Sequence, residues 1–252
     1  MSDLDARAEA LLEALPISPS AAPGQNFLPP NTRSDIPGEF GDTPVWRAGT
    51  GPATLFVHGW DDTHRVWRRF AQDFLQNTRP LLLMDLPGHG ASKAEACTPV
   101  MAAASVAAVC AAESPIDTII AHSFGCEAAA LAIAAGAAPD YFVMIAPPLL
   151  GWADYQRMRG EDEAIIARAL ELHEEKTGAP MSKTDITAAL ANYEGSILMI
   201  GSAADESSPL GLIRDLAETL PGAKLVTRET LSHRDLALDP GILSDILAFL
   251  GY

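Results

Sequence analysis

The sequence predicts a doubly wound α/β fold: a mostly parallel sheet with helices on both faces and a short helical cap. Three observations carry this. Short, nearly continuous apolar runs recur from residue 44 onward, as parallel strands buried on both faces require. Longer segments with helical periodicity alternate with them. One stretch, 148–191, breaks the alternation, with helical pattern but no strand signal.

Taken in order, Leu4, Ala8, Leu11, Leu12 and Leu15 recur at helical spacing and predict an amphipathic helix over 3–15. The following "PISPSAAPGQNFLPPNTRSDIPGEFGD" is rich in Pro, Gly, Ser and Asn and reads as an irregular arm, so 1–43 is set apart from the core. The core, 44–147 and 192–252, contains the strand candidates "TPVWRA", "ATLFVH", "PLLLMDL", "DTIIAH", "YFVMIA", "SILMIG" and "AKLVTRE". Helices are expected over 64–76, 99–112, 124–136, 208–220 and 240–250. Within the cap, "EDEAIIARALELHEEKTG" is helical, and "SKTDITAALANY" predicts a second helix starting near Ser182 or Thr184. Ile165, Ile166, Leu170 and Leu172 are expected to face the site, with Glu161, Asp162, Glu171 and Glu174 turned outward.

The chain has 252 residues, 33 acidic against 17 basic, and a formal net charge of −16. A surface this acidic repels phosphate backbones and anionic bilayers, which argues against nucleic acid or a membrane as partner. Neither a basic-then-apolar leader nor an apolar run of about 18 residues is present. Cys97, Cys110 and Cys126 form no C-x-x-C pair and suggest reduced thiols, consistent with a cytoplasmic protein. Oligomeric state is left open by the sequence.

The chemistry centres on "AHSFG", residues 121–125. Ser123 lies where a buried strand turns into a helix, and its neighbours two positions away, Ala121 and Gly125, are small. A strained strand-to-helix elbow needs that smallness so that strand and helix can approach. A serine at this place can equally be a helix cap, and local sequence does not decide between the two. Upstream, "LFVHGW" ends a strand in His58–Gly59–Trp60. The Trp60 N–H could join the Phe124 N–H as an oxyanion hole, or Gly59 could be a plain turn. "MDLPGHGAS", residues 84–92, is punctuated by Pro87, Gly88 and Gly90 and reads as structural.

Together, "HGW" (58–60), "DLPGHGAS" (85–92) and "AHSFG" (121–125) resemble the α/β-hydrolase family in order and spacing, over about residues 44–252. The resemblance departs at Ala121, where the usual residue is Gly. It implies the α/β-hydrolase fold and a Ser–acid–His triad in chain order. The implied acid is Asp205, just past the strand "SILMIG", with Glu206 as its rival. The implied base is His233, in the loop after the last strand. Ser123, Asp205 and His233 are thus the expected catalytic residues, with Trp60 and Phe124 supplying the oxyanion-hole amides.

Within the family resemblance, serine at the nucleophile position argues against dehalogenase and epoxide hydrolase chemistry, and "HGW" with the short total length resembles the small carboxylesterases, which implies a small-molecule ester as substrate and no cofactor. Rival readings are a thioesterase, C–C hydrolase, lyase or perhydrolase on the same triad, and a non-catalytic binding protein on this fold. "HGWDDTH" faintly suggests a metal, but its spacing does not put two ligands on one face, so no metal site is expected. His58 and His89 are expected to be structural, and His122 to flank the site without a chemical role.

Overall fold

The computed structural model describes residues 2–13, 27–28, 32–181 and 185–252. Eight strands form one sheet: β1 (Arg33–Ile36), β2 (Thr43–Ala48), β3 (Ala53–Val57), β4 (Leu81–Met84), β5 (Ile116–His122), β6 (Tyr141–Ile145), β7 (Ser196–Ser202) and β8 (Lys224–Arg228), in the order β1-β2-β4-β3-β5-β6-β7-β8. β2 runs antiparallel to both of its neighbours, β1 and β4, and the remaining pairs are parallel.

Alternating side chains explain why the strands read as continuous apolar runs. Leu55 and Val57, Ile119 and Ala121, and Phe142 and Met144 belong to the core on one face. Phe56, Ile120, Val143 and Ile145 belong to the core on the other. The first face is covered by α3 (Pro99–Ala112), α4 (Phe124–Ala134) and α8 (Leu210–Thr219). The second is covered by α2 (Arg68–Gln76) and α9 (Pro240–Phe249). α3 starts where Thr98 accepts the Met101 N–H at 3.1 Å with Pro99 in the first turn, and α9 where Asp239 accepts the Ile242 N–H at 3.0 Å.

The chain winds outward from β3 in two directions, to β4 on one side and β5 on the other. That switch point opens a crevice at the strand carboxyl ends, the usual ligand position in such sheets. The ends of β3 and β5 carry "HGW" and "HSF".

Between β6 and β7 the insertion forms α5 (Trp152–Met158), α6 (Glu163–Thr177) and the single turn α7 (Ile186–Ala189). α6 starts at Asp162, which accepts the Ala164 N–H at 2.8 Å, and ends at Gly178 in the left-handed region. The expected helix start at Ser182 or Thr184 lies outside the described residues, and Asp185 caps α7.

The structure corrects two expectations. First, the arm is not wholly irregular: Arg33–Ile36 adds an antiparallel edge strand to the sheet. Three of its four residues are exposed, so burial imposes no alternation on "RSDI". Second, the apolar side of α6 does not look over Ser123. Ile165, Ala169 and Leu172 pack with Ala8 of the N-terminal helix α1 (Asp3–Glu13). Both helices carry an apolar stripe, and helical spacing alone does not say which surface each stripe meets.

Candidate active site

Ser123 sits between β5 and α4 with φ 50° and ψ −127°, a strained conformation for a residue with a Cβ. The local sequence makes the turn possible. A Cβ at position 125 would lie 2.5 Å from the His58 carbonyl oxygen and 2.6 Å from that of Val57, so only Gly lets α4 start this close to β3. Gly59 is similarly confined, its hypothetical Cβ meeting Ser123 Cβ and His122 Nδ1 at 3.0 Å. This packing puts the Trp60 turn directly against the elbow, with the Trp60 and Phe124 rings edge to face at 5.2 Å. Phe124 opens α4, so its amide is among those a helix leaves without an intrahelical acceptor.

The Ser123 hydroxyl lies 2.8 Å from His233 Nε2, and His233 Nδ1 lies 2.7 Å from Asp205 Oδ2. An acceptor carboxylate at Nδ1 favours the tautomer with the proton there, leaving Nε2 to accept from the serine. Asp205 is buried, and its other oxygen accepts the Ser207 and Ser208 N–H groups at 2.9 and 3.1 Å. Glu206 points to solvent. The structure therefore brings together Ser123, His233 and Asp205 from three separate loops, with Trp60 and Phe124 beside them.

Buried imidazoles hold the surrounding loops. His58 donates from Nδ1 to the Gly59 carbonyl at 2.7 Å and accepts the Leu86 N–H at Nε2, 3.0 Å. Its full burial pushes its pKa down to about 4, against the partial support of Asp85. Asp85 accepts from the His64 backbone and ring and from the Ala91 N–H. Burial works to raise the pKa of its carboxyl, but the His64 bond and the neighbouring imidazoles outweigh this and hold it low. His89 donates to the Pro87 carbonyl and accepts the Asp61 N–H at 3.3 Å, which fixes the turn after Trp60.

His122 is tied more closely to the site than sequence reasoning allowed. Its Nε2 donates to the His233 carbonyl at 3.0 Å, and the two rings lie 4.8 Å apart. Burial, with the nearby His233, lowers its pKa to about 3, so it is a neutral donor. The strand pattern alone could not reveal this link, because the partner is 111 residues away.

A cavity of about 210 Å³ opens on Ser123. Trp60, Phe124, Pro99 and Glu127 line its core side. Pro148, Leu150, Gly151, Trp152 and Met181 line the other, all from the insertion. Neither Ile166 nor Leu170 reaches it. The sequence offered no signal for the lining residues of the insertion, since they share a wall with Trp60 and Phe124 only after folding. Among the described residues, no cluster of His, Cys, Asp and Glu could hold a metal ion, and no helix is long and apolar enough to cross a membrane.

Comparison with known proteins agrees with the architecture. No curated protein matches the chain. Among solved structures, an esterase from Rhodococcus superimposes with a TM-score of 0.66 at 20% identity, covering 87% of this chain and 98% of its own. An esterase from Pyrococcus furiosus gives 0.69 at 18% identity, over 93% and 98%. The N-formylmaleamic acid deformylase of Pseudomonas putida gives 0.65 at 16% identity, over 85% and 99%. A model of the alpha/beta hydrolase family matches residues 54–245, and the chain belongs to that family.

Proposed function

We propose that the protein is a serine hydrolase that cleaves small carboxylic esters through an acyl-enzyme. The observation that carries this reading is the continuous hydrogen-bonded chain Ser123–His233–Asp205 opening on a mainly apolar cavity. In it, His233 Nε2 takes the Ser123 proton as Oγ attacks the ester carbonyl. Asp205 holds the ring and stabilises the imidazolium. The Trp60 and Phe124 amides receive the developing oxyanion, a donor of this kind contributing about 2.7–4 kcal/mol. His233 then protonates the departing alcohol, and water repeats the sequence to release the acid.

The test is labelling with a fluorophosphonate, followed by turnover of p-nitrophenyl esters beside acyl-CoAs, amides and diketones. The reading expects Ser123 to carry the label and short esters to be turned over. Labelling without ester turnover would move the reaction to another acyl donor. Absence of labelling at Ser123 would favour a binding protein on this fold.

A further inference from the structure

The N-terminal helix α1 is docked on the cap and away from the sheet. Ala8 is fully buried among Ile165, Ala169 and Leu172 of α6, with Leu11, Leu12 and Trp152 packed around them. Ion pairs border this contact: Arg168 with Asp5 at 2.8 Å and Arg7 with Glu161 at 3.4 Å.

Trp152 belongs to two environments at once. It packs against the α1–α6 cluster, and it lines the cavity that opens on Ser123. Its Nε1–H is buried without a hydrogen-bond partner among the described residues. With no polar tie at the indole nitrogen, the ring is held by packing. The cluster it packs against includes Ala8 of α1. We propose that α1 and Trp152 together determine substrate selectivity: by bracing the cap, α1 fixes the Trp152 ring as the wall that restricts the cavity to short, uncharged acyl groups. This rests on the reading of Ser123 as the nucleophile.

Three features support that assignment. The cavity is small beside the usual range for ligand pockets, so displacing one large ring changes its shape materially. Trp152 opens the short helix α5, which has no buried residue of its own and depends on its neighbours for position. The bulk of the α6 apolar face is spent on α1, so α6 reaches the cavity through Trp152 and not directly.

The experiment measures the rate of Ser123 labelling by ethyl, butyl and octyl fluorophosphonates, read by intact mass on the full chain. Trp152→Ala should raise the octyl-to-ethyl ratio about tenfold, the size of effect a few methylene contacts carry in an apolar pocket. Leu11→Ala/Leu12→Ala should move the ratio in the same direction by a smaller factor, with ethyl labelling near the wild-type rate. The single Leu11→Ala, which trims one half-buried side chain, serves if the double variant fails to fold. If the folded α1 variants keep the wild-type ratio while Trp152→Ala shifts it, α1 is only a cover and the proposal falls. If Trp152→Ala also leaves the ratio unchanged, Trp152 is not the limiting wall. Absence of labelling at Ser123 in the wild-type protein would defeat the hydrolase reading itself, and the proposal with it.

Discussion

At Ser123 the backbone stands at φ 50°, where a Cβ is strained and glycine is not. On the proposed mechanism, stability and chemistry therefore oppose each other at one residue. Ser123→Ala should abolish ester turnover with little change in melting. Ser123→Gly should be equally inactive but more stable than the alanine variant by about 1 kcal/mol, because the strain is removed. Urea melts of the two variants check this; equal stability would mean the elbow is unstrained. The acid has a comparable test. Asp205→Asn should cut turnover severely through loss of the orienting anion, whereas the exposed Glu206→Gln should change it little. The reverse ranking would move the role to Glu206. At this scale small residues at 121 and 125 pointed to the elbow, which the backbone at Ser123 adopts, while Asp205 and His233 were named through the family resemblance and lie within hydrogen-bond reach of one another and of Ser123. What stayed hidden was His122, whose partner is a backbone carbonyl and leaves no trace in residue type.

Among the elements, legibility followed burial. The interior strands and the helices packed on them had to be apolar, and a long apolar run marks α3 at residues 99–112. β1 is an exposed edge and carries no such run. α5 buries none of its residues and was missed for the same reason, while "SKTDITAALANY" yields only one turn of α helix among its described residues. The elbow is an element-level device as well as a residue-level one, since α4 can approach β3 only over Gly125. Gly125→Ala should therefore destabilise the fold by about 3 kcal/mol, as an overpacked core position does, and should lower Ser123 labelling in the fraction that folds. A stable, fully labelled alanine variant would show that β3 and α4 separate more easily than the 2.5 Å approach implies.

For the whole molecule, the net charge of −16 sets the long-range field, but the response to acid is concentrated in a few buried groups. His58 is fully buried with Asp85, His89 and His64 facing it, and its pKa lies near 4. His122 is enclosed with His233, Asp205 and His58 facing it, and its pKa lies near 3. Both are depressed from the ordinary imidazole value of 6.5. Between 6.5 and those folded values the unfolded chain binds protons that the native state refuses, so stability falls as pH drops and is unaffected by these groups above 6.5. Each imidazole should cost about 2 kcal/mol by pH 5, and steep acid lability should set in before most carboxylates titrate. Urea melts at pH 7.5 and pH 5 measure the loss. His122→Gln, which cannot take up a proton, should be less stable at pH 7.5 yet lose about 2 kcal/mol less on acidification. Identical losses in the two proteins would mean that His122 accepts its proton in the folded state. The His122 bond to the His233 carbonyl would then not depend on a neutral ring, and the His233 loop would be held by the packing of the two imidazoles.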